Sequence, residues 1–211
     1  IPYHSYYGVG NETNLDRWLG YPLIPLTPQI FLLNFFDTQT YFFINLLLMF
    51  TIGFIGCLLI KNRYNLSNIP FIFLFLIYNF NGYIVEKISA YGPHLMGYFL
   101  LPYLFYFIFI ASDDHLDKKN QINIGILLGI TTSFILLQGS LHLYSISITF
   151  LGFWAVINLK MYLFSITSFI TSFSLSAIKI VPAYFGYGNK ENHHYWEAGG
   201  YANLSSFFES F

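Results

Sequence analysis

The sequence predicts an all-α, polytopic membrane protein, built as a bundle of transmembrane helices. Three observations indicate this class: 55% of the 211 residues are hydrophobic, 22% are aromatic and only 9% are charged. A soluble domain carries about 25% charged residues, so this chain could not cover a water-facing surface. In a bilayer the backbone must satisfy its hydrogen bonds within its own segment, which favours helices. The composition predicts a lipid bilayer as partner and excludes nucleic acid, a typical cytosolic enzyme and a disordered tail.

Six runs are apolar over the roughly 17–25 residues that a helix needs to cross a bilayer. In chain order these predicted spans are Thr40–Ile60, Ile69–Val85, Leu95–Ala111, Ile122–Gln138, Leu141–Leu159 and Met161–Pro182. The turn between the fourth and fifth spans is so short that the two form an antiparallel hairpin. Cys57 lies within the first run and is expected to be a packing residue.

The stretch Tyr21–Phe36 precedes the first span and contains Pro22, Pro25 and Pro28. Three prolines in one stretch disfavour a full span. A helix at the membrane surface, or a re-entrant helix, fits better. It would begin near Thr27 and Pro28, because proline is tolerated in a first helical turn.

Charge in the connecting loops predicts the orientation of the bundle. Loops at one face carry five Lys and Arg against three Asp, and loops at the other face carry four against seven Asp and Glu. Because Lys and Arg in short loops favour the cytoplasm, the first face is predicted to be cytoplasmic. Residues 1–39 and 183–211 are then extracytoplasmic, on either side of a bundle over residues 40–182. Since the chain begins with Ile1 and has no signal-peptide pattern, we expect it to be a fragment of a longer protein.

The N-terminal loop holds a polar group of residues beside an aromatic side chain: Glu12, Asp16, Arg17 and Trp18. A carboxylate here could act as a general base, and the guanidinium could bind a phosphate through two hydrogen bonds. The same residues fit a solvated loop with an Asp16–Arg17 contact, and spacing alone favours that interpretation.

Other polar residues lie at span ends on the same predicted face. Glu86 and Lys87 follow the second span, His94 opens the third, and His142 follows the hairpin turn. Each also has a structural interpretation: a surface ion pair of little energetic weight, a helix-start residue and a turn residue bonded to the backbone.

Lys179 is the most informative single residue, because it lies inside the apolar run that ends at Pro182. A lysine there must pair with an anion, extend its ammonium to the interface or lose its proton. Extension to the interface and binding of an anionic head group are equally consistent with the sequence. Gly125 and Gly129 form a GxxxG pattern in the fourth span, which is a weak signal for close contact with another helix.

Four short strings lie at the predicted extracytoplasmic ends of these elements. They are Leu19–Leu23, Gly92–Leu95 followed by Leu101–Pro102, Gln138–His142, and Ala177–Pro182. Together they resemble bacterial integral-membrane glycosyltransferases of the GT-C class, and most of all their YfhO-like branch. The likeness covers most of the chain and implies a location in the bacterial plasma (inner) membrane.

The resemblance implies inverting transfer of a sugar from a polyprenyl-phosphate donor to an extracytoplasmic acceptor. It assigns the general base to a carboxylate, for which Asp16 is the nearest match and Glu12 the second. The departing phosphate requires positive charge, supplied by basic side chains or by a divalent metal, Mg²⁺ or Mn²⁺. The predicted substrate-binding residues are Arg17, Glu86, Lys87, His94, His142 and Lys179.

Two other functions stay open at this point. A polytopic transporter or flippase would place polar groups near the bilayer midplane, where this sequence offers Asn45 and little beyond Ser and Thr. A non-catalytic hydrophobic subunit of a membrane complex fits the excess of Phe, Tyr, Ile and Asn.

Overall fold

A computed structural model describes residues 26–80, 82, 84–86, 92–113 and 116–188. About 90% of the structure is helical, and none of these residues lies in a strand. Its α-helices are α1 (Thr38–Tyr64), α2 (Asn68–Asn79), α3 (Leu101–Asp113), α4 (Lys118–Leu137), α5 (Leu141–Ile157) and α6 (Tyr162–Gly188). Its 3₁₀-helices are Pro28–Asn34, Gly92–Leu100 and Leu159–Met161. The predicted all-α class is confirmed.

Four segments of the described chain are helical, long and apolar enough to cross a bilayer. They are Thr38–Tyr64, Leu95–Ser112, Lys118–Leu137 and Leu159–Val181. The other two helices are apolar but shorter, with 12 residues in α2 and 17 in α5. These helices indicate an integral membrane protein, whereas the predicted count of six spans is not confirmed.

The second predicted span, Ile69–Val85, is interrupted part of the way along. α2 ends at Asn79, whose side-chain Nδ2 donates to the carbonyl of Phe75 at 3.1 Å. Such a local bond competes with the backbone pattern of the helix, and Gly82 follows shortly afterwards. The backbone is helical again over residues 84–86.

The third predicted span combines two kinds of helix, the 3₁₀-helix Gly92–Leu100 and then α3. Pro102 lies in the first turn of α3 and has no N–H, so the carbonyl of Tyr98 lacks its α-helical donor. The hydroxyl of Tyr78 donates to this carbonyl, and the hydroxyl of Tyr98 donates to the carbonyl of Tyr78 at 2.9 Å. The two rings stack with centroids 4.4 Å apart. This reciprocal tyrosine pair joins the end of α2 to the point where the helix type changes.

Contacts of two glycines fix the relative direction of α1 and α3. Gly53 lies against Phe99, and Gly56, about one turn further along α1, lies against Pro102. Because both partners advance together, the two helices run parallel. The intervening α2 therefore carries the chain back along the bundle, and its aromatic side chains pack against α1.

The most extensive packing in the described bundle joins α4 to α6. Gly125 lies against the carbonyl of Phe164, and Gly129 lies against the carbonyl of Ser168, so these helices are also parallel. A Cβ atom on Gly129 would lie 2.6 Å from the Cβ of Thr171. The close helix contact predicted from the GxxxG pattern is thus confirmed.

Apolar side chains of α3 to α6 form the main core. Its buried members include Leu104, Ile108, Leu128, Ile135, Leu136, Tyr144, Leu151 and Phe164. Met49, Ile84, Met96 and Phe99 form a smaller cluster beside α1. At the termini of the described chain, the helix expected near Thr27 begins at Pro28, and α6 continues beyond the predicted end at Pro182.

Candidate functional site

Amide side chains surround one methionine where the α4–α5 hairpin meets α1. The Nε2 atom of Gln138 lies 3.4 Å from the Sδ atom of Met49, and the Nε2 atom of Gln29 lies 3.7 Å from the same sulfur. Asn45 lies one turn before Met49 on the buried face of α1 and is 2% exposed. We refer to Gln29, Asn45, Met49 and Gln138 as the amide cluster.

The hairpin tip beside this cluster is buried, and its backbone is satisfied by local geometry. Gly139 has a left-handed φ of 85°. This turn lets Gly139 N donate to the carbonyl of Leu136 at 2.8 Å and Ser140 N donate to the carbonyl of Ile135 at 3.2 Å. The pair of bonds is a Schellman motif, in which a glycine ends a helix while its last carbonyls keep their donors.

The segment before α1 supplies a further hydrogen-bond donor to the C-terminal end of α4. Leu26 N donates to the carbonyl of Leu137 at 2.6 Å, which supplies the last residue of α4 with a donor from far away in the sequence. A bare carbonyl in an apolar interior would be costly. This bond and the Gln29–Met49 contact seat the 3₁₀-helix Pro28–Asn34 against the hairpin tip and α1.

A further bond links the tip to the 3₁₀-helix Gly92–Leu100. Gly97 N donates to the hydroxyl of Ser140 at 3.0 Å, and Ser140 is 2% exposed. A Cβ atom on Gly97 would lie 2.7 Å from this hydroxyl oxygen. Glycine is therefore needed for the close approach.

The amide cluster lies well inside the bundle, not at its rim. Thr38, the first residue of α1, precedes Met49 by about three turns, or about 16 Å at 1.5 Å per residue. On the other side of the hairpin, α6 continues past Lys179 to Gly188. Along the axis of the bundle, the hairpin tip thus lies further inside than the start of α1 and the end of α6, the two longest helices.

Lys179 is 1% exposed and shares this level of the bundle. The contacts of Gly125 with Phe164 and of Gly129 with Ser168 set the register of α4 against α6. Continued along both parallel helices, the same spacing places Lys179 within about one turn of the hairpin tip. Its side chain is buried in the protein.

Several buried oxygen atoms of this region have no hydrogen-bond partner among the described residues. They are Thr27 Oγ1, Gln29 Oε1, Asn45 Oδ1 and, on α6, Ser176 Oγ. A buried polar group left without a partner costs about 1–3 kcal/mol. Two of these atoms, Gln29 Oε1 and Asn45 Oδ1, belong to the amide cluster, which we therefore take as the candidate site.

The structure describes the side chains of three predicted site residues. Lys179 is buried, whereas Glu86 and His142, in the first turn of α5, are exposed. Glu12, Asp16, Arg17 and Lys87 lie outside the described residues, and of His94 only the backbone is described, within a 3₁₀-helix. The roles predicted for all these residues stay predictions.

Sequence reasoning did not single out Gln29 and Met49, and it treated Gln138 only as part of a turn. The sequence does contain one signal, since a single amide side chain such as Gln138 at the end of an apolar run is uncommon in a membrane helix. The sequence shows Asn45 as a polar residue within a span, but nothing in the sequence joins it to Gln138.

Among the described residues, no group of three or more His, Cys, Asp or Glu side chains is placed to hold a metal ion. The carboxylates predicted for the N-terminal loop lie outside this part of the chain.

The chain matches no protein-family model, no curated protein and no solved structure.

Proposed function

We propose that the protein is an integral-membrane glycosyltransferase. It transfers a sugar, with inversion, from a polyprenyl-phosphate donor to an acceptor on the extracytoplasmic side. One observation carries the proposal: the buried Lys179 lies within an apolar helix, level with a buried polar hairpin tip. The resemblance described from the sequence supplies the reaction class.

The proposal includes six crossings of the membrane. It is supported by the parallel packing of α1 with α3 and of α4 with α6. Parallel neighbours require the intervening chain to return along the bundle, although α2 and α5 are short. In this topology Glu86 and His142 lie on the same side as the hairpin tip and Lys179.

A cation at the depth of Lys179 suits a lipid phosphate. The polyprenyl chain remains in the hydrocarbon region while its phosphate needs a positive charge, and an ammonium shielded from water interacts more strongly than one in solvent. Transfer increases the charge on the departing phosphate, so a fixed cation stabilises the transition state.

The proposed reaction uses a carboxylate of the N-terminal loop, Asp16 or Glu12. It removes a proton from the acceptor hydroxyl as that oxygen attacks the anomeric carbon of the sugar. The bond from this carbon to the phosphate oxygen breaks, and polyprenyl phosphate departs beside the ammonium of Lys179. A divalent metal could add positive charge at the phosphate, and no step here depends on it.

Binding of the leaving group tests the role of Lys179 without knowledge of the sugar. The affinity of the purified protein in nanodiscs for polyprenyl phosphate would be measured by native mass spectrometry. We expect Lys179→Met to weaken binding about 10- to 100-fold, which corresponds to one charge-assisted hydrogen bond. Lys179→Arg should retain most of the affinity.

Lys118→Met is the matched control, because Lys118 is an exposed lysine at the opposite end of the bundle. It should leave the affinity unchanged. Undiminished binding by a folded Lys179→Met protein would overturn the proposal for this residue. Release of polyprenyl phosphate from labelled donors should also fall in an Asp16→Asn, Glu12→Gln double variant, and full activity there would remove both carboxylates from the site.

The contacts give less support to a transporter. Two buried hydroxyls in the middle of the bundle bond to carbonyls of their own helices, Thr132 to Leu128 and Ser168 to Phe164. Hydroxyls used in this way do not line a polar path. Flipping of a lipid without sugar transfer remains the observation that would favour that function.

A further inference from the structure

The amide cluster combines hydrogen-bond donors and acceptors in an apolar setting. Gln29 and Gln138 direct their Nε2 atoms toward the sulfur of Met49, at 3.7 and 3.4 Å. A thioether is a weak acceptor, so these amides have a poor partner. The oxygens of Thr27, Gln29 and Asn45 find no donor among the described residues. Both kinds of group are thus available to a ligand.

The cluster has the chemistry of an uncharged site. Its polar groups are carboxamides, and its apolar member is the Met49 side chain. Tyr41 lies one turn before Asn45 on the same buried face of α1. A carboxamide can donate to one hydroxyl and accept from its neighbour. A pair of adjacent hydroxyls can donate to the amide oxygens and accept from the amide N–H groups, whereas a cation would use only the oxygens.

We propose that the amide cluster binds an uncharged vicinal diol. Asn45 and Gln138 supply hydrogen bonds to adjacent hydroxyls, Gln29 closes the site from the 3₁₀-helix Pro28–Asn34, and Met49 contacts the carbon skeleton. The inference goes beyond the proposed function and does not depend on it, because it concerns neither a phosphate nor Lys179. Such diols occur in sugar rings and in glycerol head groups.

In this proposal a ligand enters beside the 3₁₀-helix Pro28–Asn34. It lies over the cluster through two contacts, the Leu26–Leu137 backbone bond and the Gln29–Met49 contact. Displacing this segment would break these two contacts but none of the contacts between the α-helices, so we place the opening of the site there.

Saturation-transfer NMR on the purified protein in phosphatidylcholine nanodiscs tests the proposal. The probes are methyl α-glucopyranoside and methyl α-mannopyranoside for the sugar source, and glycerol for the head-group source. Tetrahydropyran-2-methanol, which lacks adjacent hydroxyls, is the negative probe. We expect a signal from at least one diol source and none from the negative probe; which source binds identifies the origin of the ligand.

Asn45→Leu and Gln138→Leu should each weaken the diol signal at least 10-fold, since each removes the hydrogen bonds of one amide. If Asn45→Leu or Gln138→Leu does not fold, Gln29→Leu takes its place, because Gln29 is only partly buried. The matched control is Gln121→Leu, because Gln121 is also a buried amide with an unpartnered oxygen but belongs to the opposite end of α4. It should leave the signal unchanged.

Absence of a signal from every diol, or an equal loss in the Gln121→Leu protein, would overturn the inference. So would full binding by a folded Asn45→Leu, Gln29→Leu double variant. These outcomes do not depend on polyprenyl phosphate. A failure of the diol site is therefore distinguishable from a failure of the proposed transferase.

Discussion

The stacked pair of Tyr78 and Tyr98 illustrates how one residue type sets the local structure. Pro102 removes one backbone donor, and a side-chain hydroxyl from another helix replaces it. In an apolar interior this replacement matters, because water cannot satisfy the carbonyl of Tyr98. The change from 3₁₀- to α-helix is thus compensated within the protein.

We predict that Tyr78→Phe lowers the free energy of unfolding by about 1–2 kcal/mol, since it removes the hydroxyl that takes the place of the N–H missing at Pro102. In a Pro102→Ala background the loss should be less than half as large, because residue 102 then supplies an N–H. Unfolding in mixed micelles of increasing denaturing detergent would measure both values. Tyr162→Phe, at a half-exposed position, is the control and should be neutral; equal losses in the two backgrounds would contradict the explanation.

At the scale of single residues, the sequence predicts Lys179 as a lysine inside an apolar helix and the GxxxG glycines as positions of helix contact. It could not identify the amide cluster, because Gln29, Met49 and Gln138 are far apart in the chain and become neighbours only through the packing of α1 on the hairpin. For the same reason the partner of Pro102 was not predictable: the sequence shows a missing donor, but not which hydroxyl replaces it.

Helix α4 and helix α6 meet through small side chains over several turns. Gly125 on α4 faces Phe164 and Thr167 on α6, and Gly129 faces Ser168, Thr171 and Ser172. The hydroxyl of Ser172 is also 3.4 Å from that of Tyr144 on α5. Small residues let backbones approach closely, which is the main source of helix association in a membrane.

Gly129→Ala is predicted to destabilise the protein by about 1–3 kcal/mol, because the added Cβ atom would lie 2.7 Å from the backbone carbonyl of Ser168. Gly152→Ala in α5 is the matched control. No atom lies within 4 Å of the position of its added Cβ. It should therefore be neutral or stabilising by up to about 1 kcal/mol. Thermal unfolding of both variants in one detergent makes the comparison, and equal shifts would argue against a close α4–α6 contact.

Leu26→Pro tests the seating of the 3₁₀-helix Pro28–Asn34. Proline lacks the N–H that satisfies the carbonyl of Leu137, so we expect a loss of about 1–3 kcal/mol and faster proteolysis of this segment. Leu26→Ala keeps the N–H and should retain most of the protection. If limited proteolysis cuts both variants at the same rate, the backbone bond does not hold the segment.

The sequence predicted the order and position of the helices well, since apolar runs and polar breaks are local features. Helix ends were less predictable. α2 is shorter than its apolar run because Asn79 bonds to its own helix, and α6 is longer than predicted because one proline did not end it. Both outcomes depend on single side chains within a helix, which a pattern of apolar runs does not resolve.

At the scale of the whole molecule, parallel neighbours determine the path of the chain. α1 with α3 and α4 with α6 form two such pairs, and each pair encloses a short returning helix. The charge bias of the loops predicts which end faces the cytoplasm, and that prediction is independent of the packing.

Labelling by a membrane-impermeant maleimide tests this topology. In a Cys57→Ala background, cysteines at Glu86 and His142 should react in intact cells, whereas cysteines at Lys118 and Lys160 should react only after permeabilisation. Because His142 and Lys160 flank α5, reaction of both from one side would show that α5 does not cross. Buried Cys57 gives little background even when retained.

The unequal lengths of the helices carry a consequence for the surrounding lipid. α2 and α5 measure about 18 and 26 Å at 1.5 Å per residue, against a hydrocarbon thickness of about 30 Å. In the proposed topology, in which both helices cross the bilayer, such mismatch would be relieved by local thinning of the bilayer, which draws lipid head groups inward along these two helices. We expect the protein to be more stable in 14-carbon than in 20-carbon phosphatidylcholine, as measured by thermal unfolding in each. This local thinning would shorten the distance between the head group of a long-chain lipid and the interior of the protein.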